Sequence, residues 1–459
     1  MLAGCSSAPQ PQAATTTASP SASSSAPVGQ ASAGSSSAAT VAASTAEPLS
    51  ASPAPPAATP APPTPAPAQP VAPRGLVTDA DLAQATAAVA GMSVPDQAGM
   101  VVMANSAQAV GSDLVARLHL GGVILMGSNG AIDGTTSGTP EQVKSVTMDL
   151  QSQVPASQAG APLLIATDQE YGLVTRLVNG FTDFPGTAKL SSIGSTDEAA
   201  AQTTKVTAAA GTEMLAVGIN VDFAPDADVV PVSGSSAIGD RSFGSDPQRD
   251  ATLVAAAVQG YQSAGLAATI KHFPGLGRIS ADTHESLPTL DVTCDEWNTV
   301  EAVPMRAGVD AGVALVMTGH VLVPAVGTTV PSSISGAVVT DLLRGAGAAD
   351  CTGLNFTGVT VSDAMEMAPI SQNYSPGEAA WRALVAGQDL VLMPTDPGAA
   401  VNGIITAAGD GSLSPDVLRA AAARVYALRL ALARAQRPGL DVVGSAQHEA
   451  IAADARAAG

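Results

Sequence analysis

Basic residues, aromatics, cysteines and long apolar runs are all scarce in this chain of 459 residues. Lys and Arg total 19 against 39 Asp and Glu, for a formal charge of −20 and a pI near 4.4. That balance excludes nucleic acid or an anionic membrane surface as the main partner, because neither polyanion would be drawn to it. Aromatics make up 3% of the residues, and with abundant Ala and Gly this reads as compositional drift. No segment has the ~20 uninterrupted apolar residues of a spanning helix. No GxGxxG or GxxxxGK[ST] follows the first apolar run, so the phosphate-binding signatures of doubly wound sheets are missing.

What is present divides unevenly. From Ser6 to Pro73 the chain is almost entirely Ala, Ser, Thr, Pro, Gln and Val, with a single charge at Glu47. Such a segment buries too little apolar surface to offset its ordering entropy, so residues 6–73 are expected to form a disordered tether. As a coil of roughly 68 residues it spans about 45 Å. The remaining stretch of about 360 residues is long enough for one large domain or two ordinary ones. We expect a single folded domain over 74–435 and a tail over 436–459. Cys294 and Cys351 form an even pair that is either a disulfide or two buried thiols; the sequence leaves this open.

Within the folded part, short Val-, Ile- and Leu-rich runs alternate with longer Ala-rich stretches of helical character. The runs are MVVMA near Met100, GGVILMG near Val123, PLLIATDQE near Ile165, INVDFAPDADV near Val221, LAATIKHFPG near Thr269, ALVMTGH near Val316, VTVSDAMEM near Val361 and DLVLMP near Leu392. Strands alternating with helices pair in parallel, and this number of units fits a closed (β/α)8 TIM-type barrel. An open doubly wound sheet is the runner-up. In a barrel the C-terminal strand ends converge on one face, and here they carry Asp168, Asp222, Asp226, Lys271, His272, His320 and Asp363.

KHFPGLGRISADTH, Lys271 to His284, concentrates the candidate chemistry. The sequence predicts a helix ending near Gly265, a short strand LAATI, and then a Gly-Pro turn with Lys271 and His272 at its mouth. Asp282 and His284 are two apart, so in an extended segment their side chains share a side. A carboxylate on one imidazole nitrogen fixes the tautomer and raises the basicity of the other, as a general acid/base requires. Asp363 ends an apolar strand, where a poorly solvated carboxylate must be used or paired, and Glu366 is a nearby substitute for that role. Arg176, Arg241 and Lys271, in a chain so poor in cations, join Asp168 in a donor and acceptor set suited to a polyhydroxylated ligand.

ATDQEYGLVTRL, NVDFAPDADV, DRSFG, TIKHFPGLGRISADTH and VTVSDAMEM occur in an order and spacing that resembles the family 3 glycoside hydrolases, in their β-N-acetylhexosaminidase branch. The resemblance covers Thr78 to Ala435. It implies Asp363 as nucleophile, His284 as acid/base oriented by Asp282, and sugar contacts from Asp168, Arg176, Arg241, Lys271 and His272. It also implies a retaining double displacement on terminal β-N-acetylglucosaminides, with cell-wall fragments as substrate and neither cofactor nor metal. Many relatives add a sandwich domain that supplies a Glu acid/base; the short stretch after Ala435 points instead to the barrel's own histidine. The family usually has Gly at Tyr171, His at Leu276 and an acidic residue at Ala364, so these departures bear on substrate fit.

LAGC at Leu2 to Cys5 resembles a bacterial lipobox, although no basic or apolar region precedes it. It implies acylation at Cys5, export, and attachment to the cell membrane by lipid alone, facing the cell wall. The same family includes phosphorylases and β-glucosidases, which remain alternatives, as does a non-catalytic glycan-binding surface lipoprotein. A metal-dependent barrel hydrolase using His272, His284, His320 and Asp363 would need a His-x-His on the first strand, which MVVMANSA lacks.

Overall fold

The computed structural model describes residues 75–128 and 131–459. The expected tether and Cys5 lie outside the described residues.

Each apolar run forms a strand: β1 Val102–Asn105, β2 Gly122–Ile124, β3 Leu164–Thr167, β4 Val221–Asp222, β5 Ala267–Phe273, β6 Leu315–Thr318, β7 Val359–Ser362 and β8 Val391–Leu392. All pair in parallel, in the order β7-β6-β5-β4-β3-β2-β1-β8. An isolated bridge between Val361 and Leu390 closes the ring, giving the (β/α)8 barrel. Both faces of these strands are buried, one against the barrel interior and one against the helical shell, which is why they read as continuous apolar runs.

Several prolines of the described residues fit this architecture by opening helices. In α1 Pro247–Ala264, α2 Pro376–Ala386, α3 Pro397–Asp410 and α4 Pro415–Leu432 the proline opens the helix, where no N–H partner is lost. The preceding Asp246, Ser375, Asp396 and Ser414 cap the first-turn N–H groups with their side chains. At the other end of α1, Gly265 takes φ 95°, the left-handed turn that returns the chain into β5.

β5 corrects one expectation. It runs through Lys271 and His272 to Phe273, and these two side chains are buried at 2% and 6% exposure instead of standing in a loop mouth. A strand carries charged groups into a barrel when each finds a partner there. The stretch expected as a tail likewise contains a docked helix, Ala446–Ala458. His448 Nδ1 sits 2.9 Å from Oε1 of buried Glu213, which also accepts from Thr182 N at 3.0 Å and Gly444 N at 3.1 Å.

Cys294 and Cys351 form a disulfide, which joins the short helix Cys294–Thr299 to the hairpin 347–352. Its partners are 57 residues apart, so by the chain-entropy model it contributes about 4 kcal/mol. Reduction under native conditions is expected to shift the urea midpoint downward accordingly. An unchanged midpoint after verified reduction would contradict this. Among the described residues, no helix is long and apolar enough to cross a membrane.

Candidate active site

Five of the residues expected to bind substrate gather at the C-terminal rim of the barrel, around a carboxylate given no role above, Glu170. Lys271 Nζ lies 2.6 Å from Glu170 Oε1 and 3.0 Å from Asp168 Oδ1. Arg241 grips Glu170 with two bonds, Nε to Oε2 at 2.8 Å and Nη2 to Oε1 at 2.9 Å, the planar fork matching the carboxylate. Arg241 Nη2 also reaches His272 Nε2 at 3.3 Å, while His272 Nδ1 sits 2.7 Å from Asp228 Oδ2. Arg176 donates from Nη1 to the Gly127 carbonyl at 3.1 Å, and its Nη2 lies 3.8 Å from Asp168 Oδ2. Among the described residues, its buried Nε–H has no hydrogen-bond partner.

Burial sets the electrostatics. Glu170 would be raised by desolvation, but the Lys271 and then the Arg241 charge bring it down to about 2. Lys271 would be lowered by desolvation, and Asp168 and Glu170 raise it above its ordinary value. Asp226 is pushed well up, by desolvation first and then by the Asp228 charge, despite Arg241 Nη2 at 3.7 Å. The cluster therefore alternates cations and carboxylates held by paired bonds, a pattern suited to gripping several hydroxyls in fixed directions.

Asp363 follows β7 directly. Its N–H donates to the Thr318 carbonyl at 2.8 Å, and its Oδ1 accepts from the Ala364 N–H at 2.8 Å. Desolvation would raise its carboxyl, but the neighbouring His272 and His320, the Ala364 N–H and Lys271 hold it below the ordinary carboxylate range. An anionic carboxylate facing the cation-rich cluster is what covalent attack on an electron-poor carbon requires.

Asp282 and His284 pair as expected: Oδ1 lies 2.7 Å from Nδ1 and accepts from the His284 N–H at 2.8 Å. Their side chains are 59% and 72% exposed, so the pair stands outside the buried cluster, and no hydrogen bond joins it to Asp363. The glycines of this loop are sterically required. Gly275 adopts φ 136°, and a Cβ on Gly277 would lie 2.0 Å from the Val229 carbonyl oxygen. The Ala368 N–H donates to the His284 carbonyl at 3.0 Å, tying the loop to the segment after Asp363.

The three departures have local explanations. Tyr171 takes φ 64°, a conformation natural to Gly, and its buried ring packs edge-on to Phe184 at 5.5 Å. Leu276 is 3% exposed and donates its N–H to Asp228 Oδ1 at 2.5 Å, so its side chain belongs to the core. Ala364 acts through its backbone alone, with its N–H on Asp363 and its carbonyl 3.0 Å from His320 Nε2.

Glu170 and Asp228 were legible by the same spacing that linked Asp282 to His284. Glu170 is two residues from Asp168, and Asp228 two from Asp226, each pair on one side of an extended segment. Asp226, Asp228 and His272 place one potential metal ligand each within 4.8 Å. Asp228 is already engaged by the His272 N–H and ring and by the Leu276 N–H, and the Arg241 guanidinium adjoins Asp226. The set is built to orient His272, and a further cation there would face that guanidinium.

Residues 89–428 match the glycosyl hydrolase family 3 N terminal domain. "Beta-hexosaminidase A" of Pseudoalteromonas piscicida is 35% identical over 298 residues, which is 62% of this chain and 47% of that protein. The chain thus spans about half the length of that relative. "Beta-hexosaminidase" of Stenotrophomonas maltophilia strain K279a is 36% identical over 250 residues, covering 53% of this chain and 70% of its own. The solved family 3 β-N-acetylglucosaminidase of Paenibacillus sp. str. FPU-7 superposes with a TM-score of 0.70 at 33% identity, over 80% of this chain and 68% of that one. The barrel, the motifs and these matches agree: the chain belongs to glycosyl hydrolase family 3.

Proposed function

We propose that the chain is a retaining exo-β-N-acetylglucosaminidase acting on terminal β-N-acetylglucosaminides, with cell-wall fragments as its substrates. The observation that carries this reading is the placement of Asp363 directly after β7 at the barrel rim, close enough to His272 and Lys271 of the Asp168, Glu170 and Arg241 cluster to interact with their charges. In this reading Asp363 attacks the anomeric carbon and forms a glycosyl ester. His284, oriented by Asp282, protonates the departing oxygen and then takes the proton from the attacking water. The buried cluster with Arg176 and His272 holds the sugar, while the dyad works from the solvent side.

Replacing His284 by Ala tests the acid/base half. On 4-nitrophenyl N-acetyl-β-glucosaminide kcat is expected to fall about 10²- to 10³-fold, and further on an oligosaccharide whose leaving group needs the proton. Azide should restore the rate and yield the β-glycosyl azide. Wild-type turnover on both substrates would sink the assignment. Rate and product unchanged by phosphate support hydrolysis over phosphorolysis, and preference for the glucosaminide over the glucoside sets the branch.

Export and lipid attachment at Cys5 remain part of this proposal. The Cys294–Cys351 disulfide supports an oxidising compartment. Detergent phase partitioning of the native protein, compared with the Cys5→Ser variant, reads the anchor directly: an unchanged distribution would argue against it.

A further inference from the structure

We propose that His320 is a positioning residue for the nucleophile, fixing the Ala364–Met365 peptide that follows Asp363 by donating from Nε2 to the Ala364 carbonyl. The inference rests on the reading of Asp363 as nucleophile. His320 follows β6 and has no exposed surface, so it acts on the reaction only through what it touches. Its Nε2 lies 3.0 Å from the Ala364 oxygen and its Nδ1 2.7 Å from Ser333 Oγ. A carbonyl can only accept, so the ring proton sits on Nε2. The Ser333 hydroxyl, able to donate or accept, then donates to Nδ1.

The nucleophile's segment is thereby held from both ends. Thr318, two residues before His320, accepts the Asp363 N–H at 2.8 Å; His320 holds the next carbonyl; the Ala364 N–H between them donates to the Asp363 carboxylate at 2.8 Å. Ser333 is itself anchored, since its carbonyl accepts from Gln388 Nε2 at 3.1 Å, and that amide also donates to Thr318 Oγ1. The polar run Gln388, Ser333, His320, Ala364 is buried up to its last residue, and the Gln388 amide N–H, the Ser333 hydroxyl and both His320 ring nitrogens are engaged along it. Asp363, His284 and His272 are the titratable groups whose charges reach the ring. Desolvation lowers its proton affinity more than Asp363 and the Ala364 carbonyl raise it.

The test compares His320→Leu, His320→Gln and Ser333→Ala with Asp363→Ala as reference, reading kcat, KM, the pH profile and the thermal midpoint. For His320→Leu we expect kcat about 100-fold lower with KM within about 2-fold, because a displacement of about 1 Å at the reacting group costs that much. His320→Gln, whose amide reaches the same carbonyl, should recover to within about 5-fold of wild type, with both limbs of the pH profile in place. Ser333→Ala frees the ring to take the other tautomer, which turns a lone pair on the Ala364 carbonyl. That variant should lose about 10-fold in kcat. Should His320→Leu fail to fold, the other two carry the comparison.

Wild-type kcat in His320→Leu while Asp363→Ala is inactive would overturn the inference and leave the nucleophile standing. So would a Gln variant no better than Leu at equal thermal stability, or the loss of a pH limb in the Gln variant, which would make His320 a proton-transfer group. An active Asp363→Ala would instead remove the nucleophile, and this inference with it.

Discussion

Asp363→Ala is expected to lower kcat on 4-nitrophenyl N-acetyl-β-glucosaminide by about 10⁴-fold or more, with the fold intact. The magnitude follows from the role: without the carboxylate no glycosyl ester forms, and only binding and electrostatic stabilisation by the remaining cluster are left. The fold should persist because the Asp363 side chain accepts one local bond, from the Ala364 N–H, and spans no two elements. Its removal leaves Lys271 on Glu170 and Asp168, and His272 on Asp228. Azide added to this variant should give the α-glycosyl azide, the opposite anomer to that from His284→Ala. The pair of products therefore separates the two roles. Equal anomers from both variants would mean that at least one role is misassigned.

Glu170→Ala should have the largest effect on stability, about 3–5 kcal/mol. This carboxylate, itself almost fully buried, takes bonds from both Lys271 and Arg241, so truncation leaves buried Lys271 on Asp168 alone and Arg241 without its bidentate partner. Activity should fall with it, since both cations lose their fixed direction. Glu170→Gln, which keeps an acceptor without the charge, should fall between. The pH dependence has a defined sign. Folding depresses the Glu170 carboxyl from 4.5 to about 2, so its contribution is complete above 4.5 and is lost as the pH falls towards 2. Both variants should therefore lose stability less steeply over that range than the parent. A urea midpoint matching wild type at neutral pH would show that Glu170 is not the hub of the cluster.

The barrel was legible because strands buried on both faces must be apolar on both faces, and short β-branched-rich runs such as LLIAT and VTV recur in alternation with Ala-rich helical stretches. The Asp282 and His284 pair was legible because a spacing of two is decided by local geometry. Lys271 and His272 were misplaced into a loop because charge following an apolar run usually marks a strand's end. Here the strand continues because Asp168, Glu170 and Asp228 wait on β3- and β4-linked segments, and their pairing with β5 depends on strands distant in sequence. The bidentate grip of Arg241 on Glu170 joins residues 71 apart and depends on the closed barrel. The helix Ala446–Ala458 was hidden for the same reason, since its anchor Glu213 lies 235 residues from His448.

Covalent trapping tests the central claim most directly. Incubation with a slow fluorinated N-acetylglucosaminyl substrate, followed by proteolysis and mass spectrometry of the peptides, reports whether a glycosyl ester forms and on which residue. One adduct is expected, on Asp363, formed in wild type and absent from Asp363→Ala. An adduct on Glu366 or elsewhere, or turnover with inversion and no adduct at all, would contradict it.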